Sequence, residues 1–210
     1  MKIVIFGANG RTGTLLTDQA LAKGHNVTAY LRRKGSLDRQ HPNLKIVTGN
    51  LQDTAAIKGA IAGSDAVYST LGGGSLTKHA PEVTGGIDRI VSIMEEEKVN
   101  RLIYLSSIGG GESRKLLSPL VRFLIADVMI RVVLADHNIN EKRIADSALQ
   151  WTIVRPGSLT NGPLTGIMNH GSHDAMQKGM KRISRANVAS FMLDQLTDTT
   201  YLNKGVWLYE

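Results

Sequence analysis

Short apolar runs alternate along the chain with longer segments in which apolar residues recur at helical spacing. The first run, 2–6, is apolar after Lys2 and ends in a glycine-rich turn. In the next segment, 12–23, the leucines and alanines fall on one side of a helix, and Gly24 follows at the position where helices commonly end. Strands that are apolar throughout are typical of parallel sheets covered on both faces. The pattern therefore predicts buried strands connected by amphipathic helices.

The same alternation continues over most of the chain. We predict strands at 2–6, 27–31, 44–48, 66–70, 102–105 and 152–154, and helices at 12–23, 54–62, 83–98, 118–136 and 138–148. Strands and helices that alternate at this spacing form parallel βαβ units with helices on both faces of one sheet. The predicted fold class is therefore α/β, a doubly wound parallel sheet of the Rossmann type. No repeat or linker divides the chain, so we expect a single domain over 1–210, with 156–182 as a substrate-side loop segment.

The predicted helix 118–136 differs from the others because its apolar residues surround it almost completely. Arg122, Asp127 and Arg131 interrupt it too often for a membrane span. Such a helix must be covered, either by the 156–182 segment or by a second subunit. We expect a homodimer in which the helix packs against its symmetry mate.

Charge and composition narrow the function. The 25 lysines and arginines exceed the 18 acidic residues, which gives a net charge of +7 and permits an anionic partner. Nucleic acid is disfavoured because the basic residues form no long run and aromatic residues make up only 5%. The absence of cysteine excludes disulfides, thiolate metal sites and a cysteine nucleophile. The first apolar run is too short for a secretory signal, so we expect a cytoplasmic protein that binds a small anionic ligand and no membrane.

The turn after the first predicted strand reads Gly7-Ala8-Asn9-Gly10-Arg11-Thr12-Gly13. Its glycines allow the backbone to turn tightly and to approach a pyrophosphate, which then meets the free amides at the start of the next helix. A glycine pattern alone is weak, but this one has the strand before it and the helix after it that the motif requires. We therefore predict a dinucleotide phosphate site rather than an empty turn.

The second predicted strand is followed by Arg32, Arg33 and Lys34. Proteins specific for NAD usually have an acidic residue here, which binds the ribose 2′-hydroxyl. No acid occurs before Asp38, and the three cations match the 2′-phosphate of NADP instead. The alternative is a solvated basic turn. The predicted cofactor is NADPH.

Two further strand ends carry candidate binding residues. After the third strand, Asn50 is placed to hydrogen-bond an adenine while Leu51 packs against its face. After the fourth strand, Leu71, Gly72 and Gly73 let the chain pass close to the pyrophosphate or the nicotinamide ribose, although a flexible loop is the alternative.

Several motifs together resemble the atypical short-chain dehydrogenase/reductases, in particular the NmrA-like and flavin reductase/biliverdin-IXβ reductase group of NAD(P)H-binding proteins. They are the glycine motif, Asp65-Ala66-Val67, Leu105-Ser106-Ser107, Trp151-Thr152-Ile153-Val154-Arg155-Pro156-Gly157 and Pro163-Leu164-Thr165-Gly166. The resemblance covers nearly the whole chain. It implies the Rossmann fold and an NAD(P)H cofactor, whereas it does not carry over a substrate.

The resemblance also implies a role for individual residues along the cofactor. The pyrophosphate would be bound by Gly7, Asn9, Gly10, Arg11, Thr12 and Gly13. The 2′-phosphate would be bound by Arg32 with Arg33 and Lys34, and the adenine by Asn50 and Leu51. The nicotinamide ribose would lie near Leu71, Gly72 and Gly73, and the nicotinamide side near Ser106, Pro156, Gly157 and Ser158. Ser107 would lie beside the nicotinamide as a catalytic residue. Without the resemblance, a hydroxyl that only binds backbone at a strand end is the simpler interpretation.

This sequence departs from the family at two positions. Ser158 stands where these reductases often have histidine. In the superfamily's YxxxK pair, Lys142 falls at the position of the lysine, but Asn138 replaces the tyrosine that donates a proton to a carbonyl. Acceptors that take a hydride without that proton donor remain, such as flavins, quinones or extended tetrapyrroles. Lys142 is either catalytic or an ordinary surface lysine.

Two functions follow from these residues. The first is an NADPH-dependent reductase that acts on a planar acceptor, and the second is an NmrA-like sensor that binds dinucleotide without turnover. A metal is not predicted, because His170 and His173 lack further ligands and are typical of an exposed loop. His137 either contacts the substrate or is a histidine at a helix start, and it is not among the predicted site residues.

Overall fold

The apolar runs form the strands that the pattern predicts, in a computed structural model that describes residues 1–116, 119, 130–172 and 181–210. The strands are β1 Lys2–Phe6, β2 Asn26–Leu31, β3 Leu44–Thr48, β4 Ala66–Ser69, β5 Arg101–Leu105, β6 Gln150–Pro156, β7 Ser158–Thr160, β8 Asn169–Gly171, β9 Arg182–Ser184 and β10 Lys204–Tyr209. The helices are α1 Arg11–Ala22, α2 Thr54–Ile61, α3 Pro81–Glu96, α4 Arg131–Ala145 and α5 Arg185–Asp194, with a 3-10 helix at Gly111–Leu116.

Within the described residues, the main sheet has the strand order β3-β2-β1-β4-β5-β6-β10-β8. Its neighbouring strands run parallel, except that β8 lies antiparallel to β10 at one edge. The order reverses between β1 and β4, because β2 and β3 are added on one side of β1 and the later strands on the other. Such a switch point is where open α/β sheets bind ligands. The predicted doubly wound α/β class is confirmed.

Both faces of the sheet are buried along its inner strands, as the apolar runs predict. The edge strand β3 differs, because none of its residues is buried and Ile46 is 40% exposed. On β1, Ile3 and Ile5 join the core beneath α1 and α5, whereas Val4 and Phe6 join the core beneath α2, α3 and α4. This alternation follows from the period of two along a strand. The sheet is thereby fixed between two helix layers, and the carboxyl ends of its parallel strands lie at one edge.

The predicted break between two helices at residue 137 is wrong. A single helix, α4, runs through that position from Arg131 to Ala145. Neither His137 nor Asn138 is a proline or a glycine, so neither prevents the helix from continuing. Most of the predicted helix 118–136 lies outside the described residues, and the homodimer inferred from it stays a prediction. Among the described residues, no helix is long and apolar enough to cross a membrane.

The C-terminal third holds elements that were not predicted. α5 and β10 complete the sheet and its cover, and β7 pairs in parallel with β9 in a small second sheet. The segment 156–182 therefore contains short strands as well as loop, although 173–180 lies outside the described residues. α3 also begins two residues earlier than predicted, because Pro81 occupies its first turn, where the fixed φ of proline suits a helix.

Candidate functional site

The glycine motif forms a tight turn between β1 and α1 at the switch point. Gly7 has φ +82°, a conformation that side chains with a Cβ rarely adopt. A Cβ on Gly13 would overlap the carbonyl oxygen of Gly7 and come within 2.7 Å of Thr70 Oγ1. The hydroxyl of Thr70, which follows β4, donates to the carbonyl oxygens of Phe6 and Gly7 at 3.2 and 3.1 Å. The turn is therefore held against β4 by contacts that only glycine permits.

The start of α1 leaves backbone amides without partners. Its N-cap residue, Gly10, has no side chain to cap the helix, and the first turn contains no acidic residue. Among the described residues, the amides of Arg11, Thr12 and Gly13 donate to no backbone or side-chain acceptor. Unpaired amides and the positive end of the helix dipole together bind anions. These residues fit a dinucleotide pyrophosphate.

A cleft of about 300 Å³ opens directly above this turn. The predicted cofactor residues that line it are Gly7, Asn9, Gly10, Arg32, Arg33, Leu51, Leu71, Gly72 and Gly73. They come from the ends of β1, β2 and β4 and from the turn after β3, which the parallel sheet brings to one edge. An elongated anionic ligand thus meets the glycine turn, two arginines and the glycine-rich segment after β4 in one groove.

An acidic residue lies among the predicted cations. Arg32 Nη1 is 3.7 Å from the Oε1 of Glu82, and both side chains are largely exposed. Glu82 lines the cleft and also a neighbouring cavity of about 240 Å³ that contains Arg32, Asn50 and Leu51. The sequence pattern missed Glu82 because it belongs to the first turn of α3, fifty residues after Arg32. Lys34 is exposed and does not line the cleft.

Tyr30 and Asn50 lie where the adenine is predicted, Tyr30 in the cleft and Asn50 in the neighbouring cavity. The Tyr30 hydroxyl donates to the Asn50 carbonyl oxygen at 2.9 Å, and burial raises the pKa of Tyr30 to about 12. Asn50 Oδ1 accepts from the amide of Gln52 at 2.8 Å. The side-chain oxygen of Asn50 is therefore used in the turn, and its amide nitrogen is the group that remains for an adenine.

The predicted nicotinamide side comes from the ends of β5 and β6. Ser107 is partly buried, and its hydroxyl donates to the Ile108 carbonyl oxygen at 3.3 Å. The amide of Ile108 donates to the carbonyl oxygen of Pro156 at 3.0 Å, and the amide of Gly157 donates to Leu208 at 2.9 Å. These bonds tie the two strand ends together. Ser158 is exposed at the start of β7.

Ser106 belongs to a buried charge network instead of facing solvent. Its hydroxyl donates to Glu141 Oε1 at 2.6 Å. Arg155 binds Glu141 with two nitrogens, at 3.1 and 2.8 Å, and Glu112 with two, at 2.8 and 3.1 Å. The side chains of Arg155 and Glu141 are only 4% and 5% exposed. The network joins β5, α4, β6 and the 3-10 helix, so it fixes the segment that carries Ser107.

Lys142 lies on the outer surface of α4. Its side chain is 77% exposed, and Nζ forms an ion pair with Asp146 at 2.7 Å, one turn along the helix. Of the two interpretations of Lys142, this geometry favours the surface lysine.

A second polar group on α4 was not predicted as a site. Tyr104 is fully buried on β5, and its hydroxyl oxygen lies 2.8 Å from His137 Nδ1 and 3.0 Å from Asn140 Nδ2. Asp136, the residue before His137, binds His79 Nδ1 at 2.6 Å and accepts from the amide of Ala80 at 2.8 Å. The helical spacing that places these residues on one side of α4 was hidden by the helix boundary predicted at 137.

Comparison with known proteins agrees with this geometry. Residues 7–199 match the family model described as NAD(P)H-binding. An uncharacterised chloroplastic protein of Arabidopsis thaliana is 28% identical over 205 residues, which cover 93% of this chain and 71% of that protein. An uncharacterised sugar epimerase of Bacillus subtilis, YhfK, is 26% identical over 218 residues, covering 100% of this chain and 94% of that protein.

Solved structures share the fold at low identity. A short-chain dehydrogenase/reductase of Veillonella parvula in complex with NADP superposes with a TM-score of 0.85 and 20% identity, over 100% of this chain and 94% of that chain. ChuY of Escherichia coli O157:H7, described as an anaerobillin reductase, superposes with a TM-score of 0.81 and 22% identity, over 100% and 97%. The family match confirms the NAD(P)H-binding family that the motifs indicate, and the solved structures share the fold that the resemblance implies.

Proposed function

This chain belongs to the NAD(P)H-binding family, and we propose that it is an NADPH-dependent oxidoreductase that reduces a planar conjugated acceptor such as a flavin, a quinone or an extended tetrapyrrole. The observation that carries this proposal is the single cleft in which the glycine turn meets Arg32 and Arg33. The bound dinucleotide supplies a hydride. A reductase among the structural neighbours is consistent with this activity.

The arginines support NADPH over NADH. Arg32 and Arg33 line the cleft where β2 ends, at the place where a dinucleotide fold reads the ribose substituent. A guanidinium offers paired donors to a phosphate, whereas a hydroxyl needs an acceptor there. Glu82 is the carboxylate in this region that could accept a hydrogen bond from the ribose hydroxyl of NADH, but it faces Arg32.

The proposed class of hydride acceptor rests on the absence of the family tyrosine from this sequence. Asn138 occupies the position of the family tyrosine, and its Oδ1 accepts from the amide of Gly111 at 2.8 Å. It therefore holds the loop after β5 and offers no phenol to a simple ketone. A conjugated acceptor spreads the charge that arrives with the hydride, so it depends less on an acid of that kind.

Ser107 is proposed to orient the nicotinamide or to donate a hydrogen bond beside it. Its hydroxyl makes only one bond among the described residues, a local one at 3.3 Å, so it is free to turn to a ligand. Replacing Ser107 by alanine should leave NADPH affinity nearly unchanged and lower turnover about tenfold to a thousandfold, the range for losing one positioned donor. Unchanged turnover would leave Ser107 with a backbone role only.

The cofactor assignment is tested by titrating NADPH and NADH into the Arg32→Ala/Arg33→Ala variant and following nicotinamide fluorescence. NADPH affinity should fall by about 1.5–3 kcal/mol, as expected for lost charge-assisted hydrogen bonds, whereas NADH affinity should change little. Lys34→Ala is the matched control, because Lys34 belongs to the same basic run but lies outside the cleft. An equal loss for both cofactors would contradict the assignment.

Turnover separates the reductase from the sensor. Mixing the wild-type protein with NADPH and either FMN or a quinone should consume the dinucleotide catalytically, which the decrease of its absorbance reports. Tight NADPH binding with no consumption by any of these acceptors would instead favour the dinucleotide sensor.

A further inference from the structure

The group formed by Tyr104, His137 and Asn140 borders a small cavity that continues the cofactor cleft. The cavity measures about 20 Å³ and is lined by His137, Asn140 and Tyr104 on one side. On the other side it is lined by Leu71, Gly72 and Gly73, the same segment that closes the cleft. A volume of this size accepts one polar group and not a ring. It therefore suits the polar edge of a molecule that lies in the main groove.

The hydrogen bonds of this group favour one placement of its protons. The amide of Asn140 donates to the Tyr104 oxygen at 3.0 Å, which leaves the hydroxyl hydrogen of Tyr104 to be directed at His137 Nδ1, 2.8 Å away. A neutral imidazole whose Nδ1 accepts carries its proton on Nε2. Among the described residues, Nε2 of His137 has no partner, so its N–H is available to a ligand.

Burial keeps the group uncharged. Burial raises the pKa of Tyr104 far above its usual value and lowers the pKa of His137, with Glu141 and Asp136 opposing the second shift. Within the described part of the chain, Asn140 Oδ1 is buried without a hydrogen-bond partner, which is a cost in stability. A buried polar atom without a partner calls for an explanation, and a catalytic role of the group that holds it is one such explanation.

Resting on the proposed reductase function, we propose that His137 is a catalytic residue whose Nε2–H donates a hydrogen bond to the carbonyl oxygen of the hydride acceptor, with Tyr104 and Asn140 as positioning residues. The acceptor is then a compound in which a carbonyl is conjugated to the atom that takes the hydride, as in a quinone, a flavin or a lactam ring. A positioned donor aimed at developing charge lowers the barrier without transferring its own proton.

The step balances with the dinucleotide and water. The C4–H bond of the dihydronicotinamide breaks, and its hydrogen leaves with both electrons to form a new bond to the acceptor. The electron pair displaced within the acceptor moves to the carbonyl oxygen, where the N–H of His137 stabilises it. That oxygen then takes a proton from water. The acceptor is reduced by two electrons and the dinucleotide is oxidised by the same two.

The test is a pair of substitutions that separate the two ring nitrogens. His137→Gln places an amide nitrogen near the position of Nε2, whereas His137→Asn places its amide near Nδ1, where it retains the contact with Tyr104. If the Nε2 donor matters, His137→Asn should lower kcat with a quinone about 100-fold and His137→Gln less than about fivefold, since one oxyanion donor contributes about 10²–10³ in rate. Both variants should bind NADPH within about twofold of the wild type. His137→Asn should keep the wild-type melting temperature, whereas His137→Gln should melt somewhat lower because the buried Tyr104 hydroxyl loses its acceptor.

A second readout needs no acceptor. Nitrogen-15 NMR of the histidine ring in the wild-type protein should show a neutral His137 with hydrogen on Nε2, and Tyr104→Phe should remove that tautomer preference. Hydrogen on Nδ1 in the wild type would overturn the proposal. If the wild type is active and the asparagine and glutamine variants turn over equally fast, the role of His137 is overturned but the reductase function is not. If the wild type reduces no acceptor, both the role of His137 and the proposed function are overturned.

Discussion

The two halves of the binding edge are built in different ways. On the side of β1, β2 and β4, backbone makes most of the site: a turn of glycines and amides that have no partner among the described residues, with two exposed arginines beside them. On the side of β5, α4 and β6, side chains make it, through the buried ion pairs of Arg155 and the bonds to Tyr104. The first half presents groups that attract an anion, whereas the second half consists of buried side chains that hydrogen bonds and ion pairs hold in place beside it.

The difference shows what each half can tolerate. A site made of backbone depends on the absence of side chains, so it fails when an atom is added. A site made of buried charges depends on complete pairing, so it fails when a partner is removed. Substitutions that add atoms in one half and remove charges in the other therefore test the comparison directly.

The largest effect is expected at Arg155. Arg155→Met should lower the free energy of unfolding by about 3–5 kcal/mol, because it leaves the buried carboxylate of Glu141 without its cation. Urea unfolding followed by circular dichroism measures this. Glu112→Gln is the matched control, since that carboxylate is 52% exposed and its loss should cost about 1 kcal/mol or less. The double variant Arg155→Met/Glu141→Gln removes the unpaired charge as well, so it should regain much of the lost free energy of unfolding. An Arg155→Met variant as stable as the wild type would contradict this explanation.

A smaller loss is expected where an atom is added to the glycine turn. Gly13→Ala should destabilise the protein by about 1–3 kcal/mol, the usual cost of overpacking, because the new Cβ overlaps the Gly7 carbonyl. It should also weaken NADPH binding, as isothermal titration would measure. Gly59→Ala is the control in an open position of α2, and it should instead stabilise by about 0.4–1 kcal/mol. Normal NADPH affinity in Gly13→Ala would show that the close approach is not needed.

The smallest effect is expected at Glu82. Glu82→Gln removes the carboxylate that faces Arg32, so NADPH affinity should rise by about 0.2–1 kcal/mol while NADH affinity should hold or fall. Fluorescence titration of both cofactors at low salt resolves the ratio, and added salt should reduce the difference because both side chains are exposed. A gain that is the same for both dinucleotides would mean that Glu82 does not read the 2′ position.

The backbone-built half was predictable from the sequence because its signals are local. The glycine turn, the cations after β2 and the ends of β3 and β4 each stand next to the strand that positions them. Of the predicted cofactor residues on this side, Arg11, Thr12, Gly13, Asn50 and Lys34 do not line the cleft. Asn50 lines the neighbouring cavity instead, and the first three supply the amides at the start of α1. Glu82 escaped prediction because only the packing of α3 brings it to Arg32.

The half built from side chains was largely invisible in the sequence. Arg155, Glu141 and Tyr104 come from three elements, and nothing in their neighbours along the chain shows that they meet. The predicted boundary at 137 also removed the helical spacing that relates His137 to Glu141. A helix predicted without that boundary would have placed His137 and Glu141 on adjacent turns. Their partners on β5 and β6 could still be found only from the order of the strands in the sheet.

The packing around Arg155 constrains how this sequence can diverge. A Cβ at Gly205 would collide with the guanidinium of Arg155, which supplies all of its nearest contacts. Alanine is therefore excluded at 205 for as long as arginine occupies 155, and becomes admissible once a shorter residue replaces the arginine. Among descendants of this protein, Arg155 and Gly205 should be kept together or lost in a fixed order, the arginine first.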